Sequence, residues 1–446
     1  MSTDAHVSQQ TSSAAAKVPH RWRNLATLTG VTVVDNTESG LVSTLFPAIS
    51  SALGLNSGHL GLLSALGKFV AVPFGPAWVW LTGRIGRRGG LIVTTILGGV
   101  FGVLAGFAAN FGLLLLFNTL MSACVIGATP IANAVIADSF DDRSRAKAAG
   151  YLYGAVNSIA AFLGPVLALF TGLTDGWRYG MWTIGAICVV SGLVVALFFT
   201  DPGVGAAESE LADLSTKDRI KTKVTAQSVL SLFRIPTFAL MMLSRLLSGH
   251  LLITIFGIQF LVKERGFTNP IAALVLIPFG LGYLVGTVGG GWLVRLLDEV
   301  LPARGRVYYL QIAQVLFAAA AFFGTQFHYG SIGTYCVFWA LMGLGQGVNP
   351  PVNRPIVAAV VLPELRGQAF AIWLTIFETV GWALFSLGAG QLADVLGIQT
   401  VFLWIMVILM LLNAAVLSGL YACYPRDVRR VTTELGRRRA EALARS

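Results

Sequence analysis

The chain has 446 residues, 55% of them hydrophobic and only 12% charged, about half the charged share of an ordinary soluble domain. With a mean hydropathy of +0.74, this excludes water as the main solvent. The formal charge of +10 sits in short loops and at the tail, where it reports topology and excludes a nucleic-acid partner.

The apolar residues come in blocks long enough to cross a bilayer, about 20 residues each, and in lipid a helix satisfies its own backbone segment by segment. Met1 to Val18 is polar, rich in Ala and Ser, and shows no signal-peptide pattern. The tail 1–24 ends in the basic cluster Arg21-Trp22-Arg23, placed to set topology or to touch anionic membrane lipids. Six apolar windows follow: Leu25–Ala52, His59–Leu81, Gly89–Ala109, Leu113–Ile136, Ala149–Gly172 and Gly180–Phe199. Thr200 to Arg234 is a long polar stretch that reads as a cytosolic linker. Six more windows complete the pattern: Pro236–Val262, Ile271–Leu297, Val307–Gln326, Ile332–Val361, Ala369–Val395 and Thr400–Ala422. The expected fold class is an all-α membrane protein with twelve transmembrane helices in two six-helix bundles, 25–199 and 235–422, and a basic tail at 423–446.

Most of the 31 basic residues fall on one side of these spans, among them Arg84, Arg87, Arg88, Arg143, Arg145, Arg366 and the run Arg437-Arg438-Arg439. Arg178, Lys263 and Arg265 fall on the other. The positive-inside rule then places both termini in the cytosol of a cell whose plasma or inner membrane the chain spans. Cys124, Cys188, Cys336 and Cys423 lie inside apolar blocks without CxxC spacing or grouped histidines, so buried free thiols are expected, with no metal and no cofactor. The 50 glycines suit close packing of membrane helices.

One fixed shift along the chain lays part of one bundle on the other. Pro130 falls on Pro351, Asn133 on Arg354, Arg145 on Arg366, Ala148 on Ala369, Asn157 on Glu378 and Ser158 on Thr379. Two such halves, related by an axis along the membrane normal, form parallel-repeat carriers that bind substrate between them near the midplane. The loop Leu81-Thr-Gly-Arg-Ile-Gly-Arg-Arg88 resembles the signature loop of the major facilitator superfamily. So do Pro130 through Asp138, Arg145 to Gly150, Gly164-Pro165, Gly176-Trp-Arg178 and Pro363-Glu-Leu-Arg-Gly367, and the resemblance covers nearly all of Arg21 to Tyr424. The first-helix pattern from Asp35 to Gly40 and the loop between helices four and five resemble spinster-like members, and the chain as a whole resembles spinster-like or drug-efflux-like carriers. The resemblance implies the major facilitator fold, alternating access, and a cytosolic gate loop at Arg84, Gly86, Arg87 and Arg88. Two departures stand out. Gly83 occupies the position of the family's loop Asp and Val79 that of its preceding Gly, so other residues must close the gate. Asn118 replaces an Arg of many relatives, and Gly164-Pro165 lacks the paired glycines of the antiporter motif, which leaves direction open.

A charge at membrane depth costs roughly 2.5–3.5 kcal/mol on insertion scales and marks a functional site. The chain puts Asp35 and Glu38 in helix one, Lys68 in helix two, Arg245 and His250 in helix seven, Arg354 in helix ten and Glu378 in helix eleven. Asp35 and Glu38, three apart, share a helix face at a depth comparable with Arg245. An acidic pair facing Arg245 across the cavity is expected. A carboxyl whose surroundings alternate takes up and releases a proton, making Asp35, Glu38, Glu378 and His250 proton-coupling candidates, with permanent salt bridges as the alternative. Asn349-Pro-Pro-Val-Asn-Arg-Pro355 should kink and free carbonyls beside a substrate or at a gate. Cavity candidates are Lys68, Asn133, Asn157, Arg245, Asn349, Asn353, Arg354 and Trp382. Trp373, Phe377, Trp382 and Phe385 would favour an amphipathic substrate if they face the cavity, and otherwise serve packing.

The resulting expectation is a monomeric, proton-coupled secondary carrier of a small molecule. Export of amphipathic compounds or drugs is the leading assignment. Uptake of a small organic anion or metabolite is the alternative, motivated by Lys68, Arg245 and Arg354. A channel or non-transporting sensor stands third. The chain lacks HExxH, a Walker-type loop or GxSxG in usable context, so no enzyme is expected.

Overall fold

The computed structural model describes residues 18–444 apart from 56, 169, 171, 172, 174, 209–224, 268, 302 and 303. Among the described residues, every regular element is a helix. The first is α1 (Arg21–Leu53). The stretch Ser57–Gly106 is continuous in its hydrogen bonding, but Gly86 takes φ 77° and ψ 158°, so the chain turns there and α2 and α3 lie on either side of it. Next come α4 (Phe111–Val125, continued by Ala128–Ser139), α5 (Asp142–Ala168) and α6 (Gly176–Phe198). After short turns at Ala226–Leu230 and Ser231–Arg234, α7 runs over Pro236–Leu246 and resumes as Leu252–Lys263, followed by α8 (Asn269–Val300) and α9 (Gly305–Gln326). Then α10 comprises Ile332–Gly347 and Asn349–Val360, and α11 comprises Arg366–Phe370, a π-helical Ala371–Ile376 and Phe377–Leu396. Last of the spans, α12 comprises Ile398–Phe402, a π-helical Leu403–Ile408 and Leu409–Leu417.

The twelve apolar windows thus become twelve helices. By length and hydropathy alone only seven described stretches qualify as spans, and α1 is not among them. Its Thr, Asp, Asn and Glu residues interrupt the apolar run, and of these Thr32, Asp35, Thr37 and Glu38 are buried.

Where helices break, the sequence supplies a cause. Proline lacks an N–H and its ring clashes with the carbonyl four residues back. Pro130 therefore disrupts α4 at Ile126–Gly127, and Pro350 and Pro351 disrupt α10 just after Gln346. In α10 the outcome corrects the expected kink. The two prolines sit in the first turn of the second segment, where no N–H is needed, so the break moves to Val348 and Asn349–Val360 is a helix with Pro355 inside it. The break in α7 lies at Leu247–Leu251. There a Cβ on Gly249 would stand 2.1 Å from the Ile405 carbonyl oxygen, so only glycine lets the broken α7 meet the π-helical stretch of α12.

Glycine pairs also set the spacing of α8 and α10. Cβ atoms on Gly343 and Gly347 would fall 2.0 and 2.2 Å from the carbonyl oxygens of Phe279 and Tyr283. Backbones this close gain dispersion contacts that lipid cannot replace. Helix ends are capped electrostatically: Arg178 donates to the carbonyls of Gly106 (2.7 Å) and Ala108 (2.9 Å) at the end of α3, and Asp427 accepts from the Thr237 N–H at the start of α7 (2.9 Å). The basic tail forms a helix of its own, α13 (Leu420–Leu443). Val431 and Leu435, one turn apart, pack near Leu362 and Ala442, and buried Arg438 pairs with Glu364 at 3.0 Å.

Candidate transport cavity and gate

A cavity of about 550 Å³ lies between the two halves. The first half lines it with Asp35, Asn36, Lys68, Asn118, Tyr153 and Asn157, the second with Arg245, His250, Tyr283, Asn349, Asn353, Arg354, Glu378 and Trp382, among others. Ten residues singled out from sequence therefore meet here: Asp35, Lys68, Asn157, Arg245, His250, Asn349, Asn353, Arg354, Glu378 and Trp382. Glu38 and Asn133 do not line it.

The expected acidic pair opposite Arg245 is not what forms. Arg245 instead pairs with Glu378 of its own half. The reason is proximity: α7 and α11 are neighbours, and a Cβ on Gly381, within one turn of Glu378, would lie 3.5 Å from the Arg245 carbonyl. The Arg245 side chain is 12% exposed and that of Glu378 41% exposed, towards the cavity.

Asp35 and Glu38 turn inward within the first half. The Cys188 thiol of α6 lies 3.2 Å from Glu38 Oε2, 3.7 Å from Asp35 Oδ1 and 3.3 Å from the Thr95 carbonyl of α3. Ligating atoms of Asp35, Glu38 and Cys188 lie within 4.8 Å of one another. Glu38 is fully buried, and among the described residues its Oε1 has no hydrogen-bond partner. It lodges against α3, where a Cβ on Gly102 would stand 2.3 Å from Oε1. Asp35 alone of the pair reaches the cavity.

Asn133 acts one layer behind the wall. Its amide donates to Tyr153 Oη at 2.7 Å and to the Thr129 carbonyl at 2.8 Å, which fixes the Tyr153 ring. Across the interface, the Arg354 guanidinium lies 3.9 Å from that ring's centroid and 5.8 Å from that of Trp373, a cation–π arrangement, and donates to Asn353 Oδ1 at 2.8 Å. Of the aromatic row on α11, Trp382 lines the cavity. Trp373 is buried and donates to the Met241 carbonyl at 3.0 Å, and Phe377 and Phe385 pack within the second half.

One end of the cavity is closed by ion pairs, on the face where α1 begins and α13 follows the last span: Arg21 lies 3.8 Å from Asp141 there, and Tyr424 accepts from Arg306. Asp138, fully buried at the end of α4, accepts from Arg87 and from Arg366 of the other half, both at 2.7 Å. Arg306 forks onto Asp142 across the interface at 2.9 and 2.6 Å and onto Asp298 at 2.7 Å. Glu208, just past α6, bridges the halves: one carboxylate oxygen accepts from Arg145 and Arg366, each at 2.5 Å. These two arginines are the repeat-related pair, and their Nε atoms donate to repeat-related carbonyls, Ala137 at 2.8 Å and Ala358 at 3.0 Å. Burial of Glu208 pushes its pKa up, but Arg366 and Arg145 outweigh this and hold it down at about 2.

Of the gate-loop residues, Arg87 joins this network, Gly86 makes the turn, Arg84 stacks on Trp80 at 4.1 Å and Arg88 donates to the Ala196 carbonyl. The acid missing at Gly83 is thus supplied by Asp138 and Glu208. Val79, in place of the family's glycine, is accommodated by glycine on the opposite side: a Cβ on Gly367 would come 2.7 Å from Val79 Cγ1. Sequence reasoning missed the roles of Glu208, Cys188 and Tyr153. The repeat itself offered the signal for Glu208, since two equivalent buried arginines near one axis require a shared anion.

Two related helical halves with a cavity between them define an architecture whose fold and family comparison confirms. The model of the Major Facilitator Superfamily matches residues 28–325 and 303–445. The chain belongs to that superfamily. It is a multi-pass membrane transporter and not an enzyme. A Cupriavidus pinatubonensis protein named "Probable 4-methylmuconolactone transporter" is 28% identical over 153 residues, 34% of this chain and 36% of that one. A Cupriavidus necator protein named "Probable sulfoacetate transporter SauU" is 27% identical over 166 residues, 36% of this chain and 37% of that one. The transporter therefore aligns with little more than a third of the length of these relatives. The solved structure of the proton:xylose symporter XylE bound to 6-bromo-6-deoxy-D-glucose superposes with a TM-score of 0.70 at 14% identity, over 90% of this chain and 96% of that one, a likeness of fold.

Proposed function

We propose that the transporter carries a small organic anion into the cell by alternating access, together with a proton, with its termini and gate on the cytosolic side of the plasma or inner membrane. The observation that carries this reading is the charge of the cavity. Lys68, Arg245 and Arg354 line it, and among the described residues neither Lys68 nor Arg354 is in an ion pair. Its size falls in the range of small-molecule sites, roughly 300–1,000 Å³. The acidic substrate in the name of the sulfoacetate relative agrees with it. Export of amphipathic compounds finds less support, because of the aromatic row on α11 Trp373, Phe377 and Phe385 are spent on packing.

Asp35 and Glu38 are the proposed proton carriers. Asp35 meets the cavity, and Cys188 ties it to Glu38 behind the wall, so a proton entering at Asp35 has a second, drier carboxylate within reach. The test is uptake of sulfoacetate and of simple mono- and dicarboxylates into proteoliposomes under an imposed pH gradient. Wild type should accumulate at least one of these anions, and Glu38→Gln should lose accumulation while retaining exchange. Gradient-driven uptake undiminished in Glu38→Gln would remove the coupling assignment, and absence of any anion transport by wild type would remove the substrate class.

A further inference from the structure

We propose that Glu378 is a tethered stand-in for the substrate's acidic group, and that the subsite it occupies, on the Arg245 guanidinium, is where a carboxylate or sulfonate of the substrate binds. The proposal rests on the organic-anion reading above and adds the place of binding and its internal competitor.

The geometry is that of an occupied anion site. Arg245 ends the first segment of α7, beside the break that opens the helix at Leu247–Leu251. Its side chain is largely buried while the carboxylate it holds is 41% exposed and lines the cavity. The cation is thus fixed in the wall and its acid partner is the part that faces solvent. Lys68 of α2 and Arg354 of α10 line the same space and both act on the Glu378 carboxylate electrostatically. One acid surrounded by three cations is replaceable by another acid. A purely structural salt bridge would sit behind the wall, as the Arg438–Glu364 pair does with both side chains nearly inaccessible.

Arg245 Nε is buried and, among the described residues, meets no hydrogen-bond acceptor, so the guanidinium retains a donor that Glu378 does not use. A substrate with two acidic groups has a use for the remaining cations. One group takes Arg245 in place of Glu378, and the other falls to Lys68 or Arg354, on opposite halves. Closure around such a molecule brings α2 and α10 together, and the displaced Glu378 returns to Arg245 once the substrate leaves.

A tethered competitor lowers apparent affinity by the fraction of molecules in which Arg245 is free. If Glu378 holds Arg245 in about nine molecules of ten, removing its charge raises affinity about tenfold. The experiment measures binding of radiolabelled sulfoacetate, and of a matched dicarboxylate, to purified full-length protein at neutral pH. The variants are Glu378→Gln, Glu378→Asp and Arg245→Gln, each checked for its melting temperature. The expected result is a tenfold or greater drop in Kd for Glu378→Gln, a Kd near wild type for Glu378→Asp, and loss of binding in Arg245→Gln. Wild-type binding with unchanged or weaker binding in Glu378→Gln overturns the proposal and leaves the anion reading standing. No binding of either anion by wild type or by Glu378→Gln overturns both.

Discussion

Replacing Glu208 by Gln should loosen the shut face of the transporter by a predictable amount. One oxygen of Glu208 accepts two charge-assisted hydrogen bonds, from Arg145 and Arg366, each worth about 1.5–3 kcal/mol. Part of this returns when the amide oxygen accepts weakly. Both arginines also keep other partners: Asp142 and the Ala137 carbonyl for Arg145, Asp138 and the Ala358 carbonyl for Arg366. A net loss of about 3 kcal/mol shifts the balance between shut and open by about 100-fold. A cysteine at cavity-lining Asn157, probed with a membrane-impermeant thiol reagent from the terminal side, reports that balance directly. Its modification rate scales with the open population even when that population is small. The rate should rise about 100-fold in Glu208→Gln. The sign with pH follows from the depressed pKa. The contribution of Glu208 is complete above the ordinary glutamate value of 4.5 and is lost as pH falls towards about 2, so the wild-type rate, divided by the thiolate fraction of a free cysteine at each pH, should be flat between about pH 7 and pH 5. A rate that Glu208→Gln leaves unchanged, or a thiolate-corrected wild-type rate that climbs as pH falls across that window, would refute the latch.

Other expectations are simpler to test. Gly102→Ala forces a methyl against Glu38 Oε1 and should cost about 1–3 kcal/mol as overpacking, read as a lower melting temperature in detergent. Arg366→Lys keeps the charge but loses the fork that reaches Asp138, Glu208 and the Ala358 carbonyl at once, so terminal-side labelling at position 157 should rise as in Glu208→Gln. Arg438→Ala strands Glu364, only 3% exposed, and should destabilise by about 3–5 kcal/mol, with proteolysis of α13 as a second readout.

The architecture was readable because lipid imposes so few options: blocks of apolar residues became helices with ends near the windows drawn from sequence, although the proline run of α10, expected to kink, instead opens a helical segment at Asn349. The composition of the cavity was also readable, since polar residues at membrane depth such as Lys68, Arg245, Arg354 and Glu378 have nowhere else to go. Pairing was not. Arg245 had three acids to choose from, and which one it takes depends on helix rotation and on neighbours such as Gly381, which no periodicity encodes. Glu38 shares a face with Asp35 as the three-residue spacing implies, but the spacing did not say that Gly98 and Gly102 of α3 leave room for its carboxylate behind the cavity wall. Glu208 was hidden in a stretch whose composition is that of a solvated connector. The tail carried a helical signal in Val431 and Leu435 that its charge obscured.

The position of Glu208 has an evolutionary corollary. Arg145 and Arg366 stand at repeat-related positions with equivalent carbonyl partners, and a carrier built from two identical single-bundle subunits would already present both claws. It would have had nothing on the symmetry axis to put between them, because any residue there would come in two copies competing for the same space. Only fusion into one polypeptide creates a segment that occurs once. The connector that made the duplication permanent is therefore also what allowed a single negative charge to arbitrate between the two copies.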